Sequence, residues 1–323
     1  MLQFLIKRLL WAVFLFLAAT LITYLIFYVI PTDPAGKLCG RACTAADVAR
    51  VKHHLGLDRP VYVQYGKFMW QLVGHQSLGT SYVTRVDVNY TIGQAAPVTA
   101  SLVFGGAVFW LLLSIPIGIL SALRARSLGD RAAMVFVLVG VSAHPVWIGL
   151  ILSYFLGYKL GLTPIAGYCD FFNPSLGASC GGPVQWAYHM LLPWATFAVL
   201  FAALYVRFIR ANVMETLSED YVRTARAKGA SEPRVLVQHV LRNSMLPVVT
   251  ILGMDIGLAL GGAIFTESVY SLPGLGRQVL TSYANFDLPV ILGVVVFSTI
   301  CIIIFNLTVD ILYAFLDPRI RLE

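Results

Sequence analysis

Six stretches of the chain are apolar for long enough to cross a bilayer. About 30 Å of hydrocarbon takes roughly 20 residues of helix. The runs at residues 9–30, 98–123, 132–158, 190–209, 245–265 and 288–315 all meet that length. Each reads as one membrane helix, so the fold expected is all-α and polytopic. Residues 1–30 then hold a cytoplasmic N-terminus and the first helix, 31–97 an extracytoplasmic cap, and 98–323 a five-helix core. Lys7 and Arg8 precede the first run, as they would in a cleaved leader. That run is longer than a leader's apolar region, however, and Pro31 and Pro34 follow it in place of a small-x-small site. It is read as a retained span.

Between the runs the pattern changes. In 31–97, Thr44 followed by Asp47 is a variant capping box that opens an amphipathic helix, which Leu55, Gly56 and Pro60 end. A second amphipathic run covers 61–72. The other informative polar stretch is EDYVRTARAKGASEPRVLVQHVLRNSMLPV, between the fourth and fifth runs. Ser218 is placed to cap a helix, with Glu219 and Asp220 at its positive end. Gly229 sits where a left-handed turn is wanted. Ser231 is placed to cap a second helix with Pro233 in its first turn, and Pro247 marks the start of the fifth run. Two readings stand on physics alone. The segment is either an amphipathic link lying on anionic lipid or a docking surface for a cytoplasmic partner.

Charge orients the chain. Only 12% of the residues are charged and 58% are hydrophobic, and the net charge is +7. Fourteen of the 23 Lys and Arg flank the N-terminal side of the first run, the links between runs two and three and between four and five, and the end of the chain. Six spans put those positions on one side, which the positive-inside bias makes the cytoplasm. Topology thus accounts for the positive charge, and nucleic-acid binding is not expected.

Candidate chemistry is sparse. No GxxxxGK[ST] phosphate loop occurs, and no Cys/His spacing suggests a metal. His144, Asp255 and Asp310 lie within the apolar runs, where an ionisable group needs a reason. They keep open a secondary transporter driven by an ion gradient. The other reading makes Asp255 a helix–helix hydrogen-bonding group among small residues, and His144 a partner for backbone freed at Pro145. Four cysteines, Cys39, Cys43, Cys169 and Cys180, face outward in this orientation, where disulfides persist. Local pairs, 39 with 43 and 169 with 180, close short loops and are the expectation, against four reduced thiols. Cys301, within a span, is expected to stay reduced.

Several stretches together resemble one family. Asp220-Tyr221-Val222-Arg223-Thr224-Ala225-Arg226-Ala227-Lys228-Gly229, with Arg242-Asn243 and Leu246-Pro247 after it, is similar to the EAA loop of ABC importer permeases, specifically the oligopeptide/dipeptide permeases. Leu55-Gly56-Leu57-Asp58-Arg59-Pro60 with Gln64-Tyr65, Gly261-Gly262-Ala263 with Glu267 and Pro273-Gly274-Leu275-Gly276, and Asp310 with Leu316-Asp317-Pro318-Arg319 resemble other stretches of that family in the same order. Gly74-His75-Gln76-Ser77-Leu78-Gly79 departs from its usual Gly-Asp-Leu-Gly, and the outside cysteines are not general to it. The resemblance implies a transport subunit, not an enzyme. Loop 211–247 would couple it to two ATPase subunits through Asp220, Tyr221, Arg223, Thr224, Ala225, Lys228, Gly229, Arg242 and Pro247. ATP and Mg would be bound on those partners, with no cofactor on this chain. It further implies a second homologous permease (a copy or a paralogue), an extracytoplasmic substrate-binding protein and surrounding membrane lipid. The substrate would be a peptide, with nickel or a sugar as the alternative in the same family.

Overall fold

A computed structural model describes residues 2–29, 36, 44–54, 56, 58–172 and 180–316. Thirteen helices account for most of them, and the described residues form no strand beyond two isolated bridges. In chain order they are α1 (Leu2–Val29), α2 (Ala45–His54), α3 (Val61–His75), α4 (Val88–Leu123), α5 (Leu128–Ser142), α6 (Pro145–Lys159), α7 (Pro183–Leu217), α8 (Asp220–Ala227), α9 (Glu232–Ser244), α10 (Leu246–Ala259), α11 (Ile264–Val269), α12 (Leu275–Ala284) and α13 (Leu288–Leu316). Four of these, α1, α4, α7 and α13, are long and apolar enough to cross a membrane. The count rises to six if the bent pairs α5–α6 and α9–α10 each make one crossing.

The bends are where the sequence reading needs correcting. The run 132–158 is not one straight helix. It breaks at His144-Pro145 with a bend of 107°. Pro145 lacks the N–H that would continue the ladder, and it starts α6 instead. The run 245–265 also stops short. Helix α10 ends at Ala259, and Gly262, with φ +126, turns the chain into the short α11. Helix α4 in turn begins ten residues before the run that announced it. Asp87 accepts a hydrogen bond from the Asn89 N–H (2.8 Å) and sets the start. Pro97 lies inside the helix. The first turns carry Asn89, Thr91 and Gln94, so hydropathy alone overlooks a helix that extends beyond the apolar layer.

Helices α4 and α7 form the central pair and run parallel. Trp194 donates through Nε1 to the Ser101 carbonyl at 2.9 Å, and further along the Trp110 ring stacks on Phe201 at 4.7 Å. Around that seam lies the main core, which includes Trp110, Phe197, Ala202, Tyr205 and Ile209. Helix α5 lies against α7, and α10 packs antiparallel on α13, with Gly253 and Gly257 set close to Val309 and Phe305. Helix α1 is peripheral and is held by α13 and α3. The Tyr24 hydroxyl donates to Gln64, and Thr20 and Tyr65 share a hydrogen bond of 3.0 Å. In the cap, Asp47 takes both the N–H and the hydroxyl of Thr44, and these bonds hold its carboxyl below the usual carboxylate range.

Candidate functional site

The segment between α7 and α10 is a compact helix–turn–helix. Its turn is closed by two backbone bonds. The Gly229 N–H reaches the Arg226 carbonyl at 2.9 Å, and the Ala230 N–H reaches the Ala225 carbonyl at 3.2 Å. That pairing is a Schellman cap, and it needs a left-handed residue at Gly229, which has φ +80. The caps at the two helix starts differ from expectation. The Ser218 hydroxyl bonds back to the Glu215 carbonyl, so it ends α7 and does not cap α8. Ser231 occupies the cap position before α9 but makes no side-chain cap bond there. The two helices are tied across the turn by Arg226 on Glu232 (2.9 and 3.2 Å), and by the Asn243 amide donating to the Tyr221 hydroxyl at 2.8 Å.

One side of this hairpin is exposed and the other is core. Asp220, Arg223, Thr224, Lys228 and Arg242 reach toward solvent or lie partly covered, and Tyr221 is exposed. Val222, Val235 and Val240 are fully covered and join Val213 of α7 in the main cluster. Ala225 packs at the edge of that cluster, and Pro247 stands in the first turn of α10. A push on the exposed side is therefore delivered through close-packed side chains into α7 and α10, since a dense interior transmits displacement. About two turns before α7 ends at Leu217, Arg210 grips Asp130 of α5 with two bonds of 2.7 and 2.9 Å. Asp130 is 5% exposed and also accepts from the Ser121 hydroxyl and the Arg126 N–H. This cluster fastens the start of α5 and the end of α4 to the base of α7. Sequence reading did not single out Asp130 or Arg210. The signal available was the Ser127-x-x-Asp130 cap, in which the Asp130 N–H reaches Ser127 Oγ at 3.2 Å.

The intramembrane polar residues are scattered and do not form one site. His144 caps α6 by accepting from the Val146 N–H at 3.3 Å, and its ring meets Phe265 edge-on. Asp255 of α10 accepts from the Tyr205 hydroxyl of α7 at 2.7 Å. Asp310 of α13 pairs with Arg8 of α1 at 2.7 Å. Each has a partner on the helix or turn beside it, the arrangement of groups that join helices. A further carboxylate, which the sequence reading placed only within a family-like motif, lies deeper than these three. Glu267 of α11 is fully buried and accepts from Thr99 Oγ1 (2.8 Å), the Ala263 N–H (3.2 Å) and the Arg277 N–H (2.9 Å). Thr99 in turn accepts from the Leu275 N–H at 2.8 Å. One carboxylate thus fixes α4, α11 and α12 together.

At the opposite end of the bundle from the hairpin, Cys169 and Cys180 form a disulfide with Cα atoms 5.5 Å apart. Cys301 is a free thiol within α13. Cys39 and Cys43 lie outside the described residues, as do Asp317, Pro318, Arg319 and Arg321. In the loop before α4, burial and the nearby Asp287 push the Tyr82 phenol up to about 12.

The family models settle what kind of chain this is. Residues 114–322 match the binding-protein-dependent transport system inner membrane component, and residues 1–103 match the N-terminal region of the same kind of membrane component. The chain belongs to that family. Similar permeases include the dipeptide transport system permease protein DppB of Escherichia coli K12, 36% identical over 99% of both chains. A putative peptide transport system permease protein of Brucella abortus is 33% identical over 98% of both. Among solved structures, a chain of the MetNI methionine ABC transporter in inward-facing conformations superposes with TM-score 0.54 at 15% identity. The match covers 71% of this chain and 97% of that one. That likeness speaks for the fold. The permease is a transport subunit and not an enzyme.

Proposed function

We propose that the chain is the membrane-spanning permease subunit of an ATP-driven peptide importer. The observation that carries this reading is the 36% identity to a dipeptide permease along 99% of both chains. In this reading α1, α4, α5–α6, α7, residues 245–265 and α13 supply six crossings, and both termini lie in the cytoplasm. The hairpin 211–247 is the coupling element. ATPase subunits, which bind ATP and Mg, seat on its exposed side through Asp220, Tyr221, Arg223, Thr224, Lys228 and Gly229. Their closure moves α7 and α10 through the buried valines. Arg242 and Pro247 define where the hairpin re-enters the bundle. A second permease completes the pathway, and an extracytoplasmic binding protein delivers and selects the substrate.

The competing reading is a secondary carrier built on His144, Asp255 and Asp310. The separate partners of these three residues favour helix-joining roles over a shared ion site. Purification of the tagged permease from its native membrane tests the choice. ATPase subunits are expected to co-purify, and uptake by the whole assembly should be competed by peptides and not by nickel or sugars. Transport by this chain alone in liposomes, driven by an ion gradient, would overturn the reading.

A further inference from the structure

A cavity of about 480 Å³ lies where α1, α3 and α13 meet the loop before α4. Its walls fix its depth in the bilayer. Tyr24 stands near the end of the apolar span Ile6–Ile26 of α1, and Leu288 opens the span Leu288–Leu312 of α13. Both line the cavity, together with Phe68 of α3 and Leu292 of α13. One part of the wall is therefore apolar and stands at the margin of the hydrocarbon layer.

The rest of the wall is polar and carries charge of one sign. Lys67 of α3 and Arg85 of the loop line it, Gln71 and Thr80 add uncharged donors, and among the lining residues there is no Asp or Glu. Neither cation forms an ion pair among the described residues. The acids on neighbouring segments are taken. Asp58, just before α3, is held by His53 at 2.6 Å, and Asp287 accepts from the Ser81 hydroxyl and the Tyr82 N–H. Arg85 also has φ +60, a conformation costly for a residue with a Cβ. The loop imposes it. The Ser81 N–H reaches the Val86 carbonyl at 2.9 Å, the Arg85 N–H the Ser81 carbonyl at 3.2 Å, and the Val88 N–H the Gly79 carbonyl at 3.0 Å. Glycine would take that position without strain, so the turn itself gives no reason for a guanidinium there.

We propose that Lys67 and Arg85 bind the phosphate of a membrane phospholipid, whose first acyl methylenes lie against Tyr24, Phe68 and Leu292. The site needs α1 and α13 to cross the bilayer and is independent of the cargo. A phosphodiester matches two cations that have no acid between them, and such contacts are charge-assisted. The apolar wall matches the chains, which gain by leaving water. Inorganic phosphate would satisfy the cations and leave that wall unmatched. A lipid held here would tie the cap helix α3 to the peripheral α1 and to α13.

The test uses the purified assembly in detergent and phosphatidylglycerol with a diazirine near the glycerol end of one chain. Photolabelling should map to α3 and the loop before α4, and the paired Lys67→Gln, Arg85→Gln variant should need about tenfold more lipid for equal labelling. Diacylglycerol with the same diazirine should label this site weakly and alike in both proteins, and inorganic phosphate should not displace the lipid at equal concentration. Arg85→Lys should keep the labelling. Arg85→Gly should lose it while unfolding, in lipid-free detergent, at no lower temperature than wild type, a combination that a merely structural arginine would not give. Labelling of the paired variant at wild-type lipid concentrations would overturn the proposal. So would diacylglycerol labelling as strong as that by phosphatidylglycerol, which marks an acyl groove only, or displacement by equal inorganic phosphate, which marks a free-anion site. Loss of binding-protein-stimulated ATP hydrolysis in variants that keep their lipid labelling would assign the two cations to the protein partner and overturn it as well.

Discussion

Two glycine turns sit at the two ends of this permease, and they are built for opposite purposes. At the hairpin between α7 and α10, Gly229 has φ +80, and an added Cβ would meet nothing within 4 Å. Around it are exposed charges and surface ion pairs. At the other turn, Gly262 has φ +126, and an added Cβ would come within 2.6 Å of the Gly276 backbone. Beside it lies a fully buried carboxylate with three donors. The first turn constrains only the path of the chain and leaves its surroundings open to a partner. The second is filled, and its neighbours cannot move without breaking buried hydrogen bonds. Glycine alone says little about which kind of turn it makes; what surrounds the missing side chain decides.

The contrast can be broken most forcefully at Glu267. Glu267→Ala leaves the Thr99 hydroxyl and the N–H groups of Ala263 and Arg277 without their acceptor. Each such buried group costs about 1–3 kcal/mol. The detergent-solubilised protein is expected to lose most of its folded fraction, read by size-exclusion profile and thermal unfolding. A variant that unfolds at the wild-type temperature would show that the filled turn is not what holds α4, α11 and α12 together.

Gly262→Ala against Gly229→Ala sharpens the comparison. Both force an L-residue into positive φ, at about 1 kcal/mol or more. Only the first also drives a methyl into backbone. Thermal unfolding should fall clearly further for Gly262→Ala, and equal losses would contradict the distinction drawn here. Gly229→Val asks for function. Membrane insertion should be intact, while ATPase docking and substrate-stimulated hydrolysis drop. Normal stimulation by that variant would remove Gly229 from the coupling account. The smallest effect is expected at Arg226→Ala. Exposed pairs contribute about 0.2–1 kcal/mol, so stability should stay close to wild type while salt sensitivity of the hairpin declines.

Much of the architecture was legible in the sequence because a bilayer imposes one rule, a long apolar run per crossing. The rule failed where a helix leaves the hydrocarbon or breaks inside it. The polar first turns of α4 carry no hydropathy signal, and the 107° bend at His144-Pro145 is invisible to a window that averages across it. The hairpin was legible for another reason. Its glycine, its prolines and its flanking charges are local, and local signals survive without knowledge of the fold. Asp130 with Arg210, and Glu267 with Thr99, are contacts between residues 80 and 168 positions apart. No local pattern announces such pairs.

The ion pair between α1 and α13 has a consequence for how the permease is made. Arg8 is synthesised with the first helix, and the carboxylate of Asp310 follows 302 residues later, on the last helix described. During synthesis this contact between the first and last described helices can form only after the intervening ones are laid down. A chain that ends before Asp310 would lack the contact that seats α1 on α13 near the N-terminal end of α1.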